Sequence, residues 1–461
     1  MHLIPHDKQK EIIESKARFK IIRAGRRSGK STVAIEVMLF KAVEKKDRVI
    51  FYIAPTQIQA RSIIWLSLLK RLDGIGVTNE QRLEITVPTA DGGTSMIKIA
   101  GWENRENFRG QSAHHICFDE TDTCKDFFIG FSEIFRPALI DTEGSASFIG
   151  TPKKENPNLR RLEKEAGVEW RSFHFTSWDN PNLPVDELKK AEKELDHETY
   201  RQEILAEYVE NAGSLFKYTA LVDMFSNTIT KSNEKYLIVD VADDGSDKTV
   251  FTFWEGLELY RVEQYARLNT EGVINQIREY AASDRIPFSQ IAVDSIGVGA
   301  GVASSTLLDG IVGYKSSYGA IRTDEDPTRL PNVHYRQNVT LTTEYANLRS
   351  QCVFTLAGLV NNHNIAVKTT DVRIKEAIIE ELALYQDASK GDGKRMPTQK
   401  DDIKQLLGRS PDLSDTLIMR CYFEIREKML PMQSEQVVQL RNQLMSQFKR
   451  NENNVSMNST K

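Results

Sequence analysis

Short, nearly unbroken apolar runs set among helical stretches mark the first third of the chain. Residues 19–23, 48–54, 115–118 and 145–149 read as strands buried on both faces, and with the helices between them they predict an α/β core with a parallel sheet. Residues 83–87 and 96–100 alternate on either side of Asp91, Gly92 and Gly93, which predicts a strand pair closed by a turn. The charged stretch 185–209 predicts one continuous helix, and the polar, glycine-bearing stretch after it predicts a domain boundary at 211–233. A second α/β unit begins with strands at 236–240, 249–254 and 258–265, joined by short turns. Helix, strand 290–294, helix and strand 311–315 follow, an order that predicts a mixed sheet. Past Pro431, Val437, Leu440, Leu444 and Phe448 recur at helical spacing before a polar end, which predicts a short docking helix and a disordered tail.

At 461 residues the chain exceeds one typical core, so two domains are expected. Its 40% hydrophobic and 27% charged residues fit an ordinary globular protein, and a net charge of −4 restricts any nucleic-acid contact to local patches. Four cysteines and eight histidines form no zinc spacing, which points to a reduced, intracellular setting without structural zinc. Neither a signal peptide nor a run of 18 apolar residues is present in the sequence, and no membrane span is expected.

The first candidate site is the segment Ala24, Gly25, Arg26, Arg27, Ser28, Gly29, Lys30, Ser31 and Thr32, where an apolar strand runs through a glycine-bearing turn into a helix. Such a turn aims backbone N–H groups into one concavity at the positive end of the helix dipole, which suits the phosphates of ATP. Lys30 would reach the β- and γ-phosphates and Ser31 would ligate Mg²⁺. Ala24 stands where the motif has its first glycine, which is tolerable only with φ below zero. Downstream, an apolar strand ends in Asp119 and Glu120, the first suited to the Mg²⁺ shell and the second to polarising the attacking water. Gln9, ahead of the first strand, is a candidate reader of the adenine edge, or else a solvated turn residue. Arg26, Arg105 and Arg109 are candidates for stabilising the transferring phosphoryl group; Arg109 is preferred, as a finger from a neighbouring subunit, because Gly110 permits a sharp exposed turn. Thr151, in Gly150-Thr151-Pro152 after the next strand, is placed to couple hydrolysis to movement.

The second candidate site joins Asp240 and Asp294, each ending a strand, with Asp415 near the start of a helix. Three such carboxylates can hold two Mg²⁺ or Mn²⁺ ions about 4 Å apart and cut phosphodiesters. Asp247 is an extra candidate ligand beside the first, and Asp412 competes with Asp415, which is favoured because the helix turns apolar just beyond it. Lys400, Lys404 and Arg409 are candidates for phosphate contacts, or else a solvated basic face.

In this order the motifs resemble the large terminase subunit of tailed bacteriophages. The resemblance spans roughly 3–428 and rests on Arg26-Arg27-Ser28-Gly29-Lys30-Ser31, Phe108-Arg109-Gly110, Ile116 to Glu120, Gly150-Thr151-Pro152, Val239-Asp240-Val241-Ala242 with Gly245 to Thr249, Val293 to Gly299, and Gly408 to Asp415. It implies an ASCE-type, RecA-like P-loop ATPase core at 1–175 with a lid at 176–212, a linker at 213–233, a ribonuclease H-like nuclease at 234–430 and a tail at 431–461. It further implies that ATP hydrolysis drives double-stranded DNA into a procapsid and that the nuclease makes the initiating and terminating cuts. One Mg²⁺ (or Mn²⁺) at the ATPase site and two at the nuclease site go with that reading. So do a portal protein, a small terminase subunit, a homo-oligomeric ring on the portal vertex, residence in the host cytoplasm, and absence from membrane and mature virion. By the same analogy Arg109 matches the trans-acting finger and Thr151 the coupling motif. A helicase-nuclease of DNA repair would carry a second strand-loop-lysine signature, which 230–430 lacks, and a non-enzymatic portal-binding adaptor would not need Lys30, Glu120 and three aspartates.

Overall fold

A computed structural model describes residues 5–154, 157–210, 213–230, 232–242, 248–321, 344–389 and 393–427. The chain divides into two compact units, Met1–Ala212 with Asp371–Glu376, and Gly213–Thr370 with Ala377–Lys461. Asp247 and the apolar positions 437–448 lie outside the described residues. Among the described residues no helix is long and apolar enough to cross a membrane, and the four cysteines are buried and unbridged.

The first unit is built on one eight-stranded sheet. Its strands are β1 (Phe19–Ala24), β2 (Val49–Ala54), β3 (Val77–Asn79), β4 (Glu84–Pro88), β5 (Thr94–Gly101), β6 (His115–Phe118), β7 (Ser145–Gly150) and β8 (Trp170–Phe175), in the spatial order β3-β4-β5-β2-β6-β7-β1-β8. β3, β4 and β5 are antiparallel, and every other neighbouring pair is parallel. The central strands are apolar on both faces because both faces are covered. Alternate residues Ile22, Tyr52, Cys117 and Ile149 enter one core with Val33, Val37 and Met38 of the helix Lys30–Val43. Ile21, Phe51, Phe118 and Phe148 enter the other, an aromatic layer with Trp102, Phe127, Phe131 and Phe135. There Phe118 stacks on Phe148 at 5.3 Å between ring centroids and Trp102 on Phe127 at the same distance. One strand, β7, separates the strand feeding the glycine-bearing turn from the strand ending in two acids, the order of an ASCE-type P-loop core. Strands lie about 4.8 Å apart, so this skip leaves a gap of about 10 Å between their ends.

The charged stretch expected as one helix is broken. The helix Val185–Glu194 ends with Leu195 extended, and Asp196 caps a new turn by accepting from Thr199 N at 2.9 Å, before the π-helical turn Tyr200–Ile204. A side-chain oxygen free to cap competes with helix continuation, and composition alone does not reveal which wins.

The second unit carries a six-stranded mixed sheet. β9 (Lys235–Asp240), β10 (Thr249–Glu255) and β11 (Glu258–Tyr265) form an antiparallel meander; β12 (Ile291–Asp294), β13 (Val312–Tyr314) and β14 (Ala366–Val367) complete the order β13-β12-β9-β10-β11-β14. β12 runs parallel to β9, and β13 parallel to β12. This is the mixed sheet that the order of short turns and helices predicts. Leu237, Val239, Phe251 and Phe253 face Val273 and Ile277 of the helix Thr270–Asp284. The helix Asp412–Glu427 packs on β9 and β10, with Phe423 against Tyr236 at 4.9 Å.

Candidate functional site

The turn after β1 has the shape its glycines demand. Ala24 closes the strand in register with Phe175, so the alanine sits in extended backbone and meets the condition φ below zero. Gly25 has no room for a side chain: a Cβ would lie 2.4 Å from the Ile204 carbonyl oxygen and 2.8 Å from Ser177 N. Arg27 and Gly29 take positive φ, 57° and 99°. The carbonyls of Gly25, Arg26 and Arg27 accept from Ser28 Oγ at 2.5 Å, Ser177 Oγ at 2.6 Å and Asn180 Nδ2 at 2.7 Å. Tying the carbonyls to protein donors keeps them off an anion. Meanwhile the N–H groups of Lys30, Ser31 and Thr32, in the first turn of the helix, have no carbonyl four residues back to bond.

The strand-end residues meet at Lys30. Its ammonium lies 3.0 Å from Glu120 Oε1 and donates to Thr151 Oγ1 at 2.5 Å, while the Thr151 hydroxyl donates to the Ala24 carbonyl at 2.8 Å. Glu120 sits in the left-handed region (φ 50°), which turns the chain sharply at the end of β6; such backbone costs a non-glycine residue about 1–2 kcal/mol. Asp119 is buried, accepts from the Tyr52 hydroxyl and from Glu120 N, and is pushed up to about 6 by burial and by the Glu120 charge, against Tyr52 and Lys30.

Other candidates are placed differently. Gln9 is neither solvated nor on a turn: it lies buried on the helix Asp7–Glu14, accepts from His6 N and donates to the Gly29 carbonyl at 3.2 Å, so its amide braces the loop from below. Arg109 is half-exposed beside Gly110 (φ 78°) and pairs with Glu106 and Glu133, neither on the phosphate-cradling loop. Arg105 stacks on Trp102. Arg26 pairs with Glu203.

Sequence reading missed four residues here. Tyr52 points at Asp119 from mid-strand, where an aromatic looks like any core residue. Asp122 is buried and its carboxylate accepts from Leu159 N at 2.7 Å and Lys153 N at 3.0 Å, pinning the chain on either side of residue 157. Glu203 and Lys153 pair at 2.6 Å. All four act through contacts distant in sequence, and no local spacing signals them.

In the second unit, Asp240 and Asp294 end adjacent parallel strands, one residue beyond the paired Val239 and Val293. Burial, then Asp415 and, more weakly, Asp294 and Asp412, push Asp240 well up; burial raises Asp294. Asp415 goes the other way. Its burial is outweighed by Arg349, 2.7 Å from Oδ1, and by Lys400, 2.5 Å from Oδ2, and it is held below the usual carboxylate range. Arg349 also donates to Tyr385 OH at 2.8 Å. Asp412, the rival of Asp415, accepts from Lys248 N at 3.4 Å. Among the described residues no three carboxylates, imidazoles or thiols converge into a finished metal cage. Two cations, Lys400 and Arg349, instead satisfy the anionic pocket. Of the basic residues expected to touch phosphate, Lys400 is thus turned onto Asp415, and Arg409 pairs with Glu380 and Glu381. The donor set itself, buried carboxylates that raise one another's proton affinity, is oxygen-only and suits a hard dication.

Residues 21–223 match the family model of the amino-terminal part of the T4-like-virus-type large terminase subunit. The chain is 26% identical over 211 residues to the large terminase subunit of Escherichia phage T5, covering 45% of this chain and 47% of that relative, so it aligns with about half of that protein. With the large terminase subunit of Thermus phage G20c it is 23% identical over 352 residues, covering 67% of this chain and 72% of the relative. A solved structure similar to it is the nuclease domain of the large terminase subunit of bacterial virus Sf6, with a TM-score of 0.37, 19% identity, and coverage of 45% of this chain and 97% of that one. The family match spans the phosphate-cradling loop and the acid-bearing strand, and both phage relatives are large terminase subunits, so the chain is similar to the large terminase subunits of bacteriophages.

Proposed function

We propose that this chain is the ATP-driven motor and nuclease subunit of a viral DNA-packaging machine. The observation that carries the reading is the meeting of Lys30, Glu120 and Thr151 at the mouth of the turn after β1. Lys30, together with the N–H groups of the following turn, binds and neutralises the phosphates of ATP. Ser31 and Asp119 hold Mg²⁺, and Glu120 polarises water once triphosphate draws Lys30 away from it. Thr151, tied to both Lys30 and the β1 carbonyl, passes the change to the chain beyond residue 151. Arg109 serves a neighbouring subunit in the ring: it is half-exposed, Glu106 is exposed and Glu133 half-buried, and pairs at the surface are worth about 0–1 kcal/mol, so a phosphate can displace them.

Asp240, Asp294 and Asp415, with Asp247 as a further candidate, hold two divalent ions, Mg²⁺ or Mn²⁺. When bound, such a pair supplies an activated water and stabilises the leaving oxygen of the DNA strand. The domains are assigned as 1–175, 176–212 (lid), 213–233 (linker), 234–430 (nuclease) and 431–461 (tail). The partners are double-stranded DNA, a portal protein, a small terminase subunit and further copies of this chain, met in the host cytoplasm and at the procapsid portal. Separate sites give a direct test by ATPase assay and by plasmid cleavage with Mg²⁺ or Mn²⁺. Lys30→Ala removes ATP hydrolysis and leaves cleavage, and Asp240→Ala does the reverse. Loss of both activities in either folded variant overturns the reading.

A further inference from the structure

Glu381, near the end of the helix Val372–Ala383, is 1% exposed beside the buried Ile378 and Leu382. A carboxylate buried that far needs partners for its oxygens. One oxygen accepts from Ser414 N at 2.7 Å, and the other accepts from Arg409 Nη1. These partners lie on either side of Ser410 and Pro411, in the connection from the helix Lys400–Leu407 to the helix Asp412–Glu427. The first helix carries Lys400 and the second Asp415, and the Lys400 ammonium lies 2.5 Å from Asp415 Oδ2. One buried side chain thus holds the joint between two residues of the acidic site.

The contacts replace a bond that the second helix does not make for itself. Ser414 is in its first turn, and the carbonyl four residues back, that of Ser410, accepts from Arg409 Nη1 at 3.1 Å. Regular helical bonding begins with the next residue, Asp415, whose N–H donates to the Pro411 carbonyl at 3.0 Å. Glu381 therefore supplies the acceptor for the N–H immediately before Asp415, and its charge lies at the positive end of that helix. We propose that Glu381, held by Arg409, is a positioning residue for the metal-dependent cut. It fixes the first turn of the helix Asp412–Glu427, so that the Asp415 carboxylate meets the ions shared with Asp240 and Asp294. Glu381 acts through Ser414 and Arg409 and touches neither DNA nor metal. The inference rests on the reading that these three aspartates hold divalent ions.

Mn²⁺ binding to the full chain, followed through the electron paramagnetic resonance of the free ion, tests this without using turnover. Binding that Asp240→Ala abolishes belongs to the acidic site. Glu381→Gln keeps an oxygen for the Ser414 N–H but meets Arg409 with a neutral side chain, and Arg409→Ala breaks the same contact from the other end. At a temperature where the variants are folded, each is expected to weaken Mn²⁺ binding at this site about tenfold, and the Mn²⁺ needed for half-maximal plasmid cleavage rises in step. The two changes together weaken binding no more than either alone, because they remove one shared contact. Unchanged Mn²⁺ affinity in the folded variants overturns the inference whatever happens to their unfolding midpoints, since a brace for the fold alone moves only the midpoint. Should Glu381→Gln not fold, Arg409→Ala decides alone. If Asp240→Ala removes no Mn²⁺ binding, the metal reading itself is overturned, which separates the two claims.

Discussion

Lys30 opens the helix after β1 and Thr151 follows the end of β7, 121 residues on in sequence, and the ammonium donates to the threonine hydroxyl at 2.5 Å. The same hydroxyl donates onward to the Ala24 carbonyl, so one side chain joins the phosphate-cradling loop, its strand and the chain leaving β7. Thr151→Val removes the acceptor of Lys30 while keeping shape, and leaves Lys30 to Glu120 alone. Turnover is expected to fall about tenfold, with KM for ATP changing less than about threefold, because the lost contact orients the lysine after binding. Steady-state ATPase kinetics check this; a change confined to KM contradicts it.

The alanine that departs from the loop motif belongs where it is. Ala24 sits in extended backbone, so Ala24→Gly gains nothing and is expected to lower stability by about 0.5–1 kcal/mol through backbone entropy. Gly25→Ala sets a Cβ against a backbone carbonyl and an N–H that cannot yield, and is expected to cost about 1–3 kcal/mol and weaken ATP binding. Thermal unfolding and nucleotide titration of both variants compare the two.

Stability should carry the signature of Asp122. Burial pushes this carboxyl up to about 8 from its ordinary 3.8, partly offset by the Leu159 and Lys153 N–H groups. The unfolded chain releases the proton from about pH 4 upward, while the folded chain holds it to about 8. Stability from this group is therefore complete below the lower value and is lost as pH rises between the two. Unfolding midpoints measured from pH 5 to 8 should decline less steeply in Asp122→Asn than in the unaltered protein, whatever the offset between them. Parallel declines would remove Asp122 from the explanation.

Lys400 holds the place of a cation beside Asp415, and is itself kept charged, against burial, by Asp415 and Asp240. Lys400→Ala leaves the aspartates with more uncompensated charge. Without metal the variant should unfold at lower temperature, and Mn²⁺ should raise its midpoint more than it raises that of the unaltered protein. An equal Mn²⁺ effect in both proteins would show that ammonium and dication do not compete.

The broken helix at Leu195 shows where sequence patterning failed, because a charged, uncapped-looking stretch contains in Asp196 a side chain that stops one turn and starts another. Gln9 shows a second gap: its residue type allowed a solvated turn, but it lies buried on a helix, and its amide bonds His6 and Gly29, partners that only the packing of that helix under the loop supplies. The mixed sheet was legible because strand order follows from connection lengths: short turns force antiparallel neighbours and helices permit parallel ones.

Sequence by itself determined the two α/β units, the strand-loop-helix around Lys30, and the acids that end β6, β9 and β12, since apolar period and strand-end position are local properties of the chain. Tertiary structure decided which side chains answer one another: Tyr52 on Asp119, Glu203 between Arg26 and Lys153, Lys400 and Arg349 on Asp415. Coulombic and hydrogen-bond energies fall off within a few ångströms, so these partnerships depend on distances across the fold that no spacing along the chain encodes.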